Sequence, residues 1–340
     1  MKSYLVDVPV SVNIWIRPEC QRKQFEVIRQ ARPSVLFVTS DGGRNRHEWE
    51  VIRKNRQLYE RGIDWDCVVY RLYEEKNNGM YAMGKLRQNF IWSKVDRCIF
   101  LEDDQIPSVS FFRFSAEMLE KYKDDLRIYM ICGMNHLGIS ENVNSDYFFS
   151  RVGSIWGIAM WKRTYEQSND FSYGKDPYVM NCLKQETRKD KVMWKRIVAY
   201  AKSECYEGHP AGNEFFLGLA PYGQHQLLII PKYNMISNIG STEDSAHAGE
   251  LSALPRGIRQ VFNMPVYEMN FPLAHPRYVI ADLAYEAKVK RILGLGHPLV
   301  QMWRKVERAL LILRKEGIHK LIKKLNMVCK RTKENRQIEK

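Results

Sequence analysis

Between residues 8 and 101 the chain alternates uninterrupted apolar runs with stretches of helical periodicity, and nothing else in the sequence limits the fold as much. VPVSVNIWI at 8–16 ends at Arg17-Pro18, and helical spacing follows from Glu19 to Ala31 through Phe25, Val27 and Ile28. SVLFVTSDGG at 34–43 closes on an Asp-Gly-Gly turn, ahead of a charged helix at 46–61 that turns Trp49, Ile52 and Tyr59 inward. DCVVYRLY supplies a third strand. Asn77-Asn78-Gly79 then breaks the chain before a helix at about 80–93, and RCIFL is a fourth strand. Strands that are apolar throughout and separated by helices predict a parallel sheet covered on both faces, because a sheet with one wet face would alternate. The predicted class is α/β, with a Rossmann-like, mostly parallel sheet.

In such sheets ligands bind beyond the carboxyl ends of the strands. Three of these ends carry polar punctuation: Arg17-Pro18, Ser40-Asp41-Gly42-Gly43 and Glu102-Asp103-Asp104. A nucleotide-sized ligand can touch all three. After residue 107 the rhythm changes. A helix at about 108–123 leads to a strand in RIYMICGMNH and to the aromatic SRVGSIWGIAMWKRTY at 150–165. A polar stretch follows, then GNEFFLGLAPYG at 212–223 and a strand-like QLLIIPKYNMISNIG at 226–240.

The charge is unevenly placed. The net charge is +14, yet residues 288–340 carry 16 Lys and Arg against 4 acids, which leaves residues 1–287 almost neutral at 37 against 35. An enzyme acting on nucleic acid would carry its basic charge around the cleft, so no nucleic-acid partner is expected. The division is a catalytic domain at 1–287 and a basic helical tail at 288–340, the domain having a nucleotide half to about 107 and an acceptor half at about 108–287. Seven scattered cysteines, none in a C-x-x-C spacing, fit neither a disulfide scaffold nor a zinc ribbon. MKSYLVDVPVSVNIWIRP reads as a first strand and not a signal peptide, and no run reaches the roughly 18 apolar residues of a membrane span, so a cytoplasmic location is expected.

The acid triplet is the most informative local feature. Three adjacent carboxylates at the mouth of a buried strand repel one another and need a cation nearby. Mn²⁺ or Mg²⁺ prefers oxygen ligands and leaves positions open for phosphate oxygens, which suits a diphosphate leaving group. A solvated acidic turn or a helix cap is the alternative, since Asp is common before helices.

FLEDDQIPSVSFFRF at 100–114, SRVGSIWGIAMWKR at 150–163 and NMISNIGSTEDSAH at 234–247 together resemble bacterial glycosyltransferase family 2 proteins, in particular the haemolytic-protein-like group. The resemblance runs from VDVPV near residue 6 to FPLAHP at about 276. It implies the GT-A fold and a nucleotide-diphosphate-sugar transferase with a D-x-D-like motif and a divalent cation. By the same resemblance Asp104 binds the metal directly, Asp103 meets the ribose or the metal's water, and Glu102 orients them. Asp41 would read the nucleobase, Arg17 would contact base or ribose, and Asn78-Gly79 would let the next helix approach the nucleotide. His247 is similar to a C-terminal metal or diphosphate ligand, with Asp244 and Glu243 as substitutes. An inverting transfer needs one carboxylate to take the acceptor's proton. Glu214, in GHPAGNEFFLGLA, stands where relatives carry an Asp preceded by Trp, and helix capping is the other reading of it. Trp156-Gly157 is read as site-lining, because an indole face stacks on sugar C–H surfaces and a glycine admits close approach. Trp161 is read as core.

From Pro298 onward Leu299, Trp303, Val306, Leu310 and Leu313, then Ile318, Leu321, Ile322 and Leu325, mark one face of amphipathic helices. Such a tail can lie on the inner, anionic face of the cytoplasmic membrane or pack on the body. The expected function is a metal-dependent, inverting glycosyltransferase that moves sugar to a glycan or lipid-linked acceptor in cell-surface polysaccharide assembly. The rivals are a sugar-phosphate nucleotidyltransferase and a non-catalytic membrane-surface binding protein. The first would show a glycine-rich loop where this chain has IRPECQRK, and the second leaves the acids unexplained.

Overall fold

The computed structural model describes residues 1–203, 205–206, 209–210, 213–240, 251 and 254–338. Two compact units emerge: Met1–Gly240 with Asn263–Val289, and Ser241–Phe262 with Lys290–Lys340.

In the first unit β1 (Val6–Ile14), β2 (Pro33–Ser40), β3 (Val68–Tyr73) and β4 (Arg97–Leu101) are parallel neighbours in the order β3-β2-β1-β4. They are joined by α1 (Pro18–Ala31), α2 (Arg46–Gly62) and α3 (Met80–Trp92). These are the elements that the apolar runs predict. β1 is buried on both faces, Val8, Val10, Val12 and Ile14 on one side and Pro9 and Ser11 on the other. Phe37, Tyr70 and Phe100 fall in one register row with Ser11. That row receives α3: the Phe90 ring lies edge-on to Phe37 at 5.9 Å, and Trp92 meets Phe100 at 5.5 Å. On α1 and α2, Phe25 packs edge-on to Tyr59 at 5.0 Å. Each such buried ring contributes about 1.5–3 kcal/mol through removal from water.

Past β4 come β5 (Gln105–Pro107), α4 (Ser110–Lys121), β6 (Ile128–Cys132), β7 (Tyr147–Ser150), β8 (Ile158–Trp161) and α5 (Lys162–Ser168). Then follow α6 (Pro177–Glu186), α7 (Lys191–Ser203), the short β9 (Cys205–Tyr206) and β10 (His209–Pro210), α8 (Asn213–Gly223), β11 (Leu227–Pro231) and β12 (Ile236–Asn238). β8 lies antiparallel between β4 and β6, β11 runs parallel to β6, and β7 closes the edge antiparallel to β11. The eight-stranded sheet is therefore mostly parallel, with β7 and β8 reversed. The α/β, Rossmann-like class is what the chain adopts.

Two stretches differ from the sequence expectation. The single strand expected over 226–240 is two strands in different sheets, because Asn234 turns the chain. Its amide nitrogen donates to the carbonyls of Ile236 and Pro265, and its backbone N–H donates to Gly138. β12 then pairs antiparallel with β5, Asn238 opposite Gln105. The polar stretch after residue 165 holds α6 and α7, which bury Leu183, Met193, Ile197 and Tyr200.

The second unit contains α9 (Arg256–Arg259) and α11 (Pro298–Ile338), the latter interrupted at Gly317; α10 (Leu283–Leu293) crosses the boundary between the units. Among the described residues no helix is long and apolar enough to cross a membrane.

Candidate functional site

Register places the strand ends in line: Ile14 pairs with Ser40, Ser40 with Tyr73, and Val12 with Leu101. The three polar termini singled out in the sequence thus leave the same edge of the sheet. The acid turn at the end of β4 is held by its backbone. Gln24 Nε2 donates to the carbonyls of Glu102 at 2.6 Å and Gln105 at 2.7 Å. Gln21 Nε2 reaches Asn13 at 3.1 Å and Asp103 at 3.4 Å, and the Ile239 N–H donates to the Asp104 carbonyl at 2.9 Å. Both glutamines are fully buried, on the inward face of α1. Every carbonyl of the acid turn from Glu102 to Asp104 is therefore bonded, and the carboxylates project from a fixed frame.

Those carboxylates share one cation. Arg17 Nη1 lies 2.9 Å from Asp103 Oδ2 and 3.1 Å from Asp104 Oδ2, with side chains only 10 %, 10 % and 15 % exposed. Burial pushes Asp103 up to about 7; Arg17 opposes this and Asp104 adds to it. Burial raises Asp104 too, again against Arg17. Asn238 Nδ2 donates to Asp104 Oδ1 at 3.2 Å, while Asn238 Oδ1 accepts the Gly240 N–H at 3.0 Å. A Cβ on Gly240 would overlap the Asp104 carboxylate, so glycine is what allows this loop to close over the acid. On α3 the Arg87 guanidinium senses Glu102 and Asp103 through space, and its buried Nε has no hydrogen-bond partner.

Gln105 ties the aromatic motif to the acids. Its Oε1 accepts from the Gly157 N–H at 2.8 Å and the Glu102 N–H at 3.2 Å, and its Nε2 donates to Glu102 Oε2 at 3.1 Å. Gly157 adopts φ +59° with Ile236 packed where a side chain would be, a conformation and a space that suit glycine. Trp156 beside it is half-buried. Trp161 is buried, its Nε1 donating to the Leu119 carbonyl at 3.1 Å, so it is core.

Asp41 is brought to Asn78 and Gly79. Its carboxylate accepts from the N–H groups of Gly42, Asn78 and Gly79, each at 2.9 Å, and from the side chains of Asn78 at 3.1 Å and Asn77 at 3.3 Å. This carboxylate shapes the loop that opens α3. Glu214 is near the start of α8, with its side chain outside the described residues; His247, with Asp244 and Glu243, also lies outside them.

The donor set suits a cation of the Mg²⁺ or Mn²⁺ kind. Two neighbouring carboxylates are held part-buried against a single guanidinium nitrogen, and such ions are typically bound by one or two carboxylates together with substrate phosphates and water. Among the described residues no group of three or more His, Cys, Asp or Glu forms a fuller cage. Of the residues singled out in the sequence, the structure brings Asp103 and Asp104 to Arg17, Asp41 to Asn78 and Gly79, and Gly157 to Glu102 through Gln105, whereas Gln21, Gln24, Arg87, Gln105, Asn238 and Gly240 were not among them. The glutamines had a visible signal: Gln21, Gln24, Phe25 and Ile28 follow the spacing of one buried helix face. No protein-family model matches the chain, and no curated protein matches it.

Proposed function

We propose that this chain is a divalent-cation-dependent, inverting glycosyltransferase of the GT-A type. It would move a sugar from a nucleotide-diphosphate-sugar to a hydroxyl of a glycan or lipid-linked acceptor in bacterial cell-surface polysaccharide assembly. The observation that carries this reading is the part-buried Asp103 and Asp104 pair at the carboxyl end of β4, with Arg17 bridging both acids. Two carboxylates kept on a rigid turn with a single shared counter-charge make a site for a further cation and the anion it brings.

Asp104 and Asp103 would hold Mn²⁺ or Mg²⁺. When bound, that ion neutralises charge on the departing diphosphate. Arg17, displaced from the acids, and Arg87 supply guanidinium groups for phosphate oxygens, which planar guanidinium forks suit well. The Asp41, Asn78 and Gly79 loop sets the start of α3 beside the nucleotide. Gln105 fixes Gly157 against Glu102, so that Trp156 can border the sugar. In the transfer the acceptor oxygen bonds to the anomeric carbon, the bond from that carbon to the diphosphate oxygen breaks, and a carboxylate takes the acceptor's proton. Glu214 is the proposed base, and His247 the proposed further contact to metal or diphosphate.

A thermal-shift panel of nucleotide sugars with and without Mn²⁺ tests the reading. One of them should raise the melting temperature only when the metal is present, since a ligand of the folded state stabilises it by mass action. No shift with any nucleotide sugar in Mn²⁺ would overturn it.

A further inference from the structure

The first stretch of α11 leaves an apolar stripe exposed. Leu299, Met302, Trp303, Val306, Leu310 and Leu313 are exposed, Leu299 by 76 % and Trp303 by 62 %. At 3.6 residues per turn these six fall within one arc of about 100°. The contacts to the rest of the unit come from the other positions. Gln301 Nε2 donates to the Gly294 carbonyl at 2.8 Å, Arg304 donates to the Ile292 carbonyl, and Glu307 accepts the Arg256 N–H at 2.9 Å. A helix serving only its own unit would turn its apolar stripe inward and its charges outward. Here three polar side chains and the buried Ile312 lie off the stripe, and the stripe faces away from them. A continuous exposed stripe of this kind marks an interaction surface.

Charge selects the occupant. From Pro298 to Lys315 the helix carries Arg304, Lys305, Arg308, Arg314 and Lys315 against the single acid Glu307, and residues 288–340 hold 12 of the chain's 14 net positive charges. A second copy docked stripe to stripe would cover the leucines and leave without a partner Arg304, Lys305, Arg308 and Lys315, which lie more than about 100° round the helix from the centre of the stripe. A nucleic acid would meet the cations and leave the leucines bare. An anionic bilayer satisfies both halves at once, apolar side chains entering the acyl boundary and cations meeting lipid phosphates. No described helix can cross a membrane, so the fitting geometry is a helix lying in the interface. We propose that α11 docks the protein on the surface of an anionic lipid bilayer, with Leu299, Trp303, Val306 and Leu310 as the inserted residues. This does not depend on the transferase reading.

Co-sedimentation of the full-length protein with vesicles provides the test, comparing phosphatidylcholine alone with an equal mixture of phosphatidylcholine and phosphatidylglycerol. Binding should be at least about tenfold stronger to the anionic vesicles and should weaken with salt. Trp303→Glu with Leu310→Glu should remove it while the melting temperature stays unchanged. If that variant fails to fold, the combined replacement of Lys305, Arg308, Arg314 and Lys315 by Gln decides, and should bring anionic binding down to the neutral level. Equal binding to both vesicles, or binding to neither, would overturn the proposal. So would a wild-type dimer in light scattering that Leu310→Glu converts to monomer, since the stripe would then belong to a second copy.

Discussion

Arg17 and Asp103 form an ion pair at 2.9 Å, and the same guanidinium nitrogen reaches Asp104 at 3.1 Å. One side-chain cation therefore stands where the proposed divalent ion would bind, and the two compete. Removing one partner of a buried pair leaves charge uncompensated, so Arg17→Met should destabilise the metal-free protein by roughly 2–4 kcal/mol. Added Mn²⁺ should recover more stability in this variant than in the wild type. Thermal melts in chelator and in Mn²⁺ measure both effects; equal metal responses would show that Arg17 and the cation do not share the site.

Gly240→Ala should act on the site through one methyl group. Its Cβ would overlap the Asp104 carboxylate, so either the carboxylate or the loop after β12 must move. The expected result is a folded protein whose Mn²⁺-dependent nucleotide affinity falls at least about tenfold, since a displacement of about 1 Å near reacting groups is felt at this level. Calorimetric titration of the variant with nucleoside diphosphate in Mn²⁺ reads the change. Unchanged affinity would mean that Asp104 does not need its present position.

Asp41 distinguishes loop support from base recognition. Its carboxylate accepts three backbone N–H groups and two side-chain amides from residues 42 and 77–79. Asp41→Ala should leave several donors unpaired and cost about 2–3 kcal/mol of stability. Affinity for uridine, guanosine and cytidine diphosphates should fall by a similar factor. A loss confined to one base would assign Asp41 to nucleobase reading instead.

The acid pair sets a pH dependence whose sign follows from burial. Asp103 stands at about 7 in the folded protein against an ordinary value of 3.8, so folding favours its protonated form. Such a group stabilises fully below about pH 4, and its contribution is lost as pH rises through about 7. In chelator the stability of the wild type should fall as pH rises across this window, read as a falling melting temperature. Asp103→Asn should flatten the slope, and an unchanged slope would locate the titration elsewhere.

How far the sequence reaches is clearest at β4 and β12. The run RCIFL followed by three acids was legible because a strand buried on both faces is apolar throughout and its end is not. Asp104's partners were not legible, because Asn238 and Gly240 arrive from a strand 134 residues away that breaks from β11 at a turn made by Asn234. Nothing in QLLIIPKYNMISNIG distinguishes one long strand from two short ones until the tertiary acceptor at Pro265 is known. β8 has the same character: its place between β4 and β6 is a non-local pairing that periodicity does not encode. α6 and α7 were hidden by polar composition, their buried residues being few and widely spaced.

Release of nucleoside diphosphate from a panel of nucleotide sugars, with Mn²⁺ and with chelator, puts the role of Asp104 to the most direct test. We expect slow hydrolysis of one donor by the wild type in Mn²⁺, none in chelator, and a loss of about a hundredfold or more in Asp104→Ala. Turnover that persists at the wild-type rate in Asp104→Ala or in chelator would contradict a cation held by the acids at the end of β4, as would the absence of any turnover by the wild type.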